Sequence, residues 1–296
     1  MPTQFLSPKS DLVFKLIFGT PGNIDILADF LHSVLDIPRE EFDHLELKDP
    51  ALKPDIPGGK EVTLDIHAVL ARGIIINVEM QKYPHPYMWE RIQLYLDILF
   101  IGQIRRGEGY HVLKKVVGIV ITDYILVRGN TQYHNREQQL SPGFGRIGAD
   151  LKETHILELP KLPGEPDGSE LWKWMKFING LEEEDFTMIA QMGMKFKKAV
   201  EILREISEDD ETRAVNEARE KARRDEAARL YGAREEGIAE GLNWGRIEGL
   251  GKGKEDGIAE GKAEVAVNLY GIGMPLDLIT NVTGLSAETI LGLVGQ

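Results

Sequence analysis

The sequence predicts an α/β fold, in which helical residues lead into three strands, a further helix and a fourth strand. Two strand-like runs, 63–70 and 74–81, alternate apolar with polar residues and are joined by Ala71-Arg72-Gly73. A continuous apolar run at 116–121 is typical of a central strand, because a strand buried on both faces needs no polar side. Together these runs predict a sheet that is covered by helices.

Each remaining element follows from a local signal in the sequence. Helices are predicted where apolar residues recur every three or four positions, and loops where Pro and Gly cluster. In order, the predicted elements are a helix at 11–18 ended by Gly19, a helix at 24–35 that Asn23 could cap, a strand at 42–47, a loop at 50–59, the two strands named above, a helix at 87–106, a strand at 112–124, and an extra strand pair at 133–160 with a turn at 142–145.

Composition limits the class of protein. A chain of 296 residues with 42% hydrophobic content can form about two domains, or one domain with an appendage. The absence of cysteine excludes disulfides and thiolate metal sites. No apolar run or signal region predicts membrane insertion or export, so a prokaryotic cytoplasm is expected. The net charge of −13 weakens a nucleic-acid-binding hypothesis, because affinity for phosphates comes from Lys and Arg.

A pair of acidic residues in the two-strand run points to chemistry. The three-residue linker pairs position 70 with 74, which places Asp65 opposite Glu79 and Thr63 opposite Gln81. Two carboxylates that face each other across a ladder repel, and a divalent cation between them reverses that effect. The hairpin therefore predicts a metal site at Asp65 and Glu79. The alternative is a polar face that simply points at water.

An ordered set of short segments resembles one protein family. They are the helix from Lys9-Ser10-Asp11 to Phe18, Leu64-Asp65-Ile66, Val78-Glu79-Met80-Gln81, Glu90-Arg91-Ile92-Gln93-Leu94-Tyr95, Gly107-Glu108-Gly109-Tyr110 and Leu157-Glu158-Leu159-Pro160-Lys161. In this order they are similar to the recombination-promoting nucleases, transposase-like members of the PD-(D/E)XK superfamily. The resemblance implies a restriction-endonuclease-like α-β-β-β-α-β core with a central mixed sheet, at about 5–126 within a domain 1–185. It also implies hydrolysis of DNA phosphodiester bonds with Mg²⁺, or with another divalent cation such as Mn²⁺ or Ca²⁺.

The resemblance further implies catalytic roles for three hairpin residues. Asp65 would be the metal-binding aspartate and Glu79 the second metal-binding carboxylate. Gln81 stands where the superfamily usually has lysine, a substitution that also occurs within this family. A neutral amide can orient a water but supplies no charge, so catalysis would depend more on the metal. Lys82 is expected to point to the other face of its strand and is a poor substitute.

Three further site candidates lie on the predicted helices. Asp11 is expected to support the metal or hold a water, because the family carries an acidic residue near the site on this helix. Its alternative role is to stabilise the helix N-terminus. Arg91 and Tyr95 lie one turn apart and could contact a DNA phosphate. Ordinary helix packing with a surface ion pair is the alternative for both.

The C-terminal third is predicted to be helical and repetitive. Region 186–262 is charged, and glycine recurs every fourth residue from 237 to 261. A four-residue step drifts about 40° per repeat on a helix, so the glycines form a winding stripe. The stripe predicts close pairing in a homodimer or higher homo-oligomer, or else a flexible, partly helical linker; its charged flanks argue against a membrane.

The last segment, 263–296, is predicted to form three short helices that resemble a helix-turn-helix. Its final helix, 287–294, has no Lys, Arg, Asn or Gln to read bases or bind phosphate. A packing or dimerisation element is therefore favoured over a DNA reader. Ser286 can cap the final helix.

The sequence as a whole predicts a metal-dependent DNA endonuclease associated with recombination or mobile elements. Two other functions stay open. One is a catalytically inactive nuclease fold that serves as a protein-interaction module, motivated by the missing lysine and the acidic charge. The other is a helical oligomerising adaptor whose function lies in the glycine repeat.

Overall fold

Residues 5–52, 61–138 and 150–295 are described by the computed structural model of the chain. The chain divides into two units, Met1–Glu220 and Lys221–Gln296. The helices are α1 (Asp11–Phe18), α2 (Ile24–Val34), α3 (Met88–Ile101), α4 (Glu170–Asn179), α5 (Glu183–Ala190), α6 (Met194–Glu208), α7 (Asp210–Gly271), α8 (Leu276–Thr283) and α9 (Ala287–Val294). The strands are β1 (Glu46–Leu47), β2 (Ala51–Leu52), β3 (Val62–Thr63), β4 (Ile66–Val69), β5 (Ile75–Gln81), β6 (Val116–Thr122), β7 (His134–Gln138) and β8 (Lys152–Glu158).

A mixed six-stranded sheet forms the centre of the first unit. Its strand order is β1-β4-β5-β6-β8-β7, with β5, β6 and β8 parallel and the other neighbours antiparallel. The order β1, β4, β5, α3, β6 confirms the predicted α/β core. The extra strand pair is confirmed as β7 and β8, whereas its predicted turn at 142–145 lies outside the described residues.

Apolar side chains fill both faces of this sheet. All seven residues of β6 are buried, as expected for a central strand. Helix α3 covers one face and approaches β6 closely at Gly118, where an added Cβ would lie 3.1 Å from Leu96 Cδ2. Any side chain at this position would push α3 away from the sheet, which explains the glycine in an otherwise β-branched strand.

The other face carries an aromatic cluster that fixes α1. The Phe18 ring lies 4.9 Å from Phe14, 5.3 Å from Phe30 and 5.7 Å from Trp174, measured between ring centroids. All four rings are fully buried. Such aromatic contacts add to the energy of burial. The buried side of α1 is thus held rigidly, and its opposite side faces the open end of the hairpin.

A buried ionic cluster joins the strands at one side of the sheet. Glu153 on β8 is only 4% exposed and accepts hydrogen bonds from Lys115 and Arg136. His155 Nε2 lies 2.9 Å from Glu153 Oε1, and His134 Nε2 lies 2.8 Å from His155 Nδ1. Burial alone would raise the pKa of Glu153, but the hydrogen bonds from His155, Arg136 and Lys115 hold it well below its usual range. These contacts link the residue before β6 to β7 and β8.

The second unit contains a small core of its own. Ala266, Ile279 and Ile290 are fully buried together. The Ser286 hydroxyl accepts a hydrogen bond from the Thr289 backbone at 3.1 Å, which confirms the predicted cap of α9. The first of the three predicted short helices is instead the end of α7. In the described part of the chain, no helix is both long and apolar enough to cross a membrane.

Candidate functional site

The hairpin register brings Asp65 and Glu79 together as predicted. Strand β4 pairs His67 with Asn77 and Ile66 with Val78, so the next positions are Asp65 and Glu79. The ladder ends there, and the predicted pairing of Thr63 with Gln81 is wrong, because Thr63 pairs with Ala51 on β2.

The two acidic side chains replace the missing ladder bonds. Glu79 Oε1 accepts a hydrogen bond from the Asp65 backbone N–H at 3.3 Å, and Asp65 Oδ2 accepts one from the Met80 N–H at 2.8 Å. Each carboxylate therefore accepts a hydrogen bond from a backbone N–H at, or next to, the other acidic residue. These two bonds free the chain before Asp65 to leave the sheet, which accounts for the start of β4 at Ile66 instead of at the predicted position 63.

Both carboxylates have been removed from water. Glu79 is 3% exposed, and the Asp65 side chain is 10% exposed. Burial, followed by the charge of Asp65, raises the pKa of Glu79 to about 8. Burial also raises the pKa of Asp65, although the charge of Lys15 opposes the shift. Two acids with raised pKa values in one site form an arrangement that a bound cation would stabilise.

Lys15 on α1 is a site residue that the sequence reasoning missed. Its Nζ lies 3.0 Å from Asp65 Oδ1 and 2.9 Å from Asp11 Oδ1. Burial lowers the pKa of Lys15, but the charges of Asp65 and Asp11 outweigh it and raise the pKa overall. The only sequence signal was its position one turn after Asp11, on the side of α1 away from the aromatic cluster.

Gln81, Arg91 and Tyr95 gather around Glu79. Gln81 Nε2 donates to Glu79 Oε2 at 3.2 Å, and Arg91 Nη2 lies 3.8 Å from the same oxygen. Arg91 Nε donates to Tyr95 Oη at 2.7 Å, and the guanidinium lies over the tyrosine ring, 5.2 Å from its centroid. These side chains line a pocket with Asn77, whose buried Oδ1 has no hydrogen-bond partner among the described residues.

The first turns of α7 reach the same region from far along the chain. Arg219 Nη1 lies 3.3 Å from Asp11 Oδ2. Glu220 Oε2 accepts hydrogen bonds from Lys82 Nζ at 2.6 Å and from Tyr83 Oη at 3.3 Å. Lys82 thus pairs away from Asp65 and Glu79. No local pattern could have revealed these contacts, because they join positions that are 137 to 208 residues apart.

The acidic residues provide oxygen ligands of the kind that Mg²⁺ prefers. Mg²⁺ is commonly held by one or two carboxylates and completes its shell with water and phosphate oxygens, so Asp65 and Glu79 fit it. Asp11, which is predicted to support the metal or hold a water, contacts Lys15 and Arg219. Within the described ranges, no three His, Cys, Asp or Glu side chains are grouped to hold an ion by themselves.

Comparison with known proteins identifies a family to which the chain is similar. Residues 8–233 match a family described as PD-(D/E)XK nuclease family transposase. Neither the curated proteins nor the solved structures gave a match. The matched range covers more than half of the chain and includes α1, the hairpin, α3 and the first turns of α7. The chain therefore belongs to the PD-(D/E)XK nuclease family of transposases.

Proposed function

We propose that this protein is a metal-dependent DNA endonuclease that acts in recombination or in the movement of mobile elements. The observation that carries the proposal is the pair of carboxylates formed by Glu79 on β5, which is buried, and Asp65 directly before β4, whose side chain is 10% exposed. Their close approach is costly without a cation, even though each carboxylate accepts one backbone hydrogen bond. Membership of the nuclease family supports DNA as the substrate class.

The reaction is the hydrolysis of a phosphodiester. The oxygen of a water molecule bonds to phosphorus while one ester P–O bond breaks, and the electron pair of that bond leaves with the departing oxygen. The water loses a proton to solvent, and the leaving oxygen gains one. Asp65 and Glu79 would hold Mg²⁺, Mn²⁺ or Ca²⁺, which when bound lowers the pKa of the water and supplies positive charge at the phosphate.

Neighbouring side chains have roles that follow from their contacts. The Gln81 amide shares Glu79 Oε2 and can hold the attacking water by a hydrogen bond. Arg91 is partly exposed and already directed at the site, so it can contact a phosphate beside the scissile bond. Tyr95 keeps the Arg91 side chain in place by accepting its Nε–H. Asp11 is proposed to support the metal ligands through Lys15 or a water.

One observation favours a second function, that of a catalytically inactive interaction module. Gln81 carries no charge where the superfamily usually has lysine, and the net charge of the chain is −13. A protein that bound partners instead of cutting DNA would tolerate both features. The two functions differ in a direct measurement of cleavage.

We expect purified protein to nick supercoiled plasmid in the presence of Mg²⁺ and to stop when the metal is chelated. Asp65→Ala should lower the cleavage rate by roughly 1,000-fold. The substitution removes a proposed ligand of the metal ion, and the charge of that ion stabilises the transition state. Asp25→Ala is the matched control, since Asp25 is an exposed carboxylate on α2 that pairs with Lys198. A folded wild-type protein that cuts with none of the divalent metals would favour the interaction module.

The second unit supports a proposal about partners. Leu242, Trp244 and Leu250 lie on α7 with about 70% of their surface exposed, an unusual state for large apolar residues. Each glycine in this helix costs about 1 kcal/mol relative to alanine, so an isolated helix of this composition is weak. We infer that α7 pairs with the same helix of a second copy, as a homodimer or higher homo-oligomer.

Glycine-to-alanine substitutions in α7 distinguish a paired helix from a solitary one, because they should dissociate the first and stabilise the second. An added Cβ at Gly245 or Gly249 meets no atom within 4 Å in the single chain. In a solitary helix each alanine would stabilise by about 1 kcal/mol. If a second backbone packs there, the double variant should dissociate, which light scattering coupled to gel filtration would detect.

Gly232→Ala provides the control for this experiment. Gly232 lies in the same helix, has equally open surroundings and falls outside the four-residue series. It should leave the oligomeric mass unchanged. A monomeric wild type, or a double variant of unchanged mass and higher melting temperature, would contradict pairing through the glycine stripe.

A further inference from the structure

The site described above lacks a positive charge where the superfamily usually carries one. Phosphodiester cleavage builds negative charge on the non-bridging oxygens, and preorganised cationic donors stabilise it. Gln81 supplies none. Lys82, the next residue along β5, is held by Glu220, and Lys9 pairs with Asp123. The hairpin itself therefore does not provide the cation.

Helix α1 brings an ammonium group to the carboxylates from another direction. Lys15 Nζ lies 3.0 Å from Asp65 Oδ1, and in the described part of the chain no other lysine contacts Asp65 or Glu79. The Lys15 side chain is 32% exposed, which leaves it partly open to solvent and to an approaching phosphate. The aromatic contacts of Phe14 and Phe18 hold the helix that carries it.

We propose that Lys15 supplies the catalytic cation that the strand lacks, by donating a hydrogen bond to a non-bridging oxygen of the scissile phosphate. This inference rests on the proposed nuclease function and assigns its charge-stabilising residue. Without substrate, the same ammonium bridges Asp11 and Asp65 and offsets their repulsion. When DNA binds, Lys15 would release Asp65 Oδ1 and donate to the phosphate, which would leave the Asp65 carboxylate free to hold the metal.

The exchange has a consequence that activity measurements alone would not show. The ammonium group contacts Asp65 Oδ1, and a metal held by Asp65 would draw on the same carboxylate, so the two would compete for it. Removing the ammonium should therefore tighten metal binding in the absence of DNA while it slows cleavage. Replacing a residue that only supports the fold, or that helps to hold the metal, would instead weaken metal binding and slow cleavage.

The experiment compares Lys15→Gln with wild type in two assays. Plasmid nicking at saturating Mg²⁺ should slow by roughly 100-fold, the usual effect of losing one charge-stabilising donor. Titration calorimetry with Mn²⁺ and no DNA should show affinity that is higher by roughly tenfold. Lys198→Gln is the matched control, because it removes a lysine from the surface ion pair with Asp25 and should change neither quantity.

Two further variants keep the test decisive if Lys15→Gln folds poorly. Lys15→Arg retains the charge and the ion pairs, so it should fold and cut within roughly tenfold of wild type. Adding Gln81→Lys to Lys15→Gln returns an ammonium to the side of β5 that carries Glu79. The double variant should cut at least about tenfold faster than Lys15→Gln.

The outcomes separate this inference from the function on which it rests. Unchanged cleavage in Lys15→Gln, or slower cleavage together with weaker Mn²⁺ binding, would overturn the role of Lys15 and leave the nuclease function standing. Failure of the second lysine to rescue the rate would also count against it. A wild-type protein that binds Mn²⁺ and never cuts would overturn the nuclease function itself.

Discussion

Glu79→Gln is expected to abolish cleavage and at the same time to stabilise the folded protein. The amide keeps the shape of the side chain but cannot act as an anionic metal ligand, so the nicking rate should fall by roughly 1,000-fold. In the absence of metal, the substitution removes a buried carboxyl that faces Asp65 and that the folded protein keeps protonated up to about pH 8. The free energy of unfolding should then rise by about 1–2 kcal/mol, because an acidic pair that is kept for function lowers the stability of the fold.

The pH dependence of this stabilisation follows from the raised pKa of Glu79. In the unfolded chain Glu79 loses its proton near its ordinary pKa, whereas in the folded protein it keeps the proton until about pH 8. Wild-type stability therefore falls as pH rises between these two values, and the charge of Arg91 only partly offsets the penalty. Glu79→Gln removes this loss.

Thermal unfolding in a chelating buffer tests both points. The variant and wild type should melt together at about pH 4, where Glu79 is largely protonated in both states, and separate progressively toward about pH 8. Glu41→Gln is a suitable control, because Glu41 is a buried glutamate paired with Arg72 at 2.5 Å and should gain no stability. A Glu79→Gln protein that melts lower than wild type at about pH 8 would show that the carboxylate pair is structural.

Glu153→Ala is expected to cause a large loss of stability in the first unit. The substitution leaves the charges of Lys115 and Arg136 beside an empty buried position, and breaking such a buried ion cluster costs about 3–5 kcal/mol. Because the pKa of Glu153 is lowered on folding, its contribution is present above the pKa of an unfolded glutamate. This contribution to stability disappears as the pH falls from that value toward the lower pKa that Glu153 has in the folded protein.

Urea unfolding of the variant and wild type at neutral pH measures this loss. Glu170→Ala is the control, since Glu170 is an exposed glutamate that pairs with Lys173 on the surface of α4. That substitution should change the free energy of unfolding by less than about 1 kcal/mol. Equal effects of the two substitutions would mean that Glu153 is not held by its three partners as described.

The sequence by itself determined the sheet and the principal acidic pair. Strand residues alternate with a period of two, so placing the apolar residues of both strands on one face allows a single hairpin register. That register predicts Asp65 opposite Glu79, and the structure places the two residues so. The buried run of β6 and the apolar spacing of α1 and α2 were equally local signals.

Only the tertiary structure decided where the strand begins and which cations reach the site. Strand β4 begins only at Ile66, because the side chains of Asp65 and Glu79 take backbone partners, a competition that no alternation pattern reports. Lys15 meets Asp65 across 50 positions, and Arg219 meets Asp11 across 208. Contacts of this range depend on how helices pack on the sheet, whereas the sequence pattern records only which face of each element is buried.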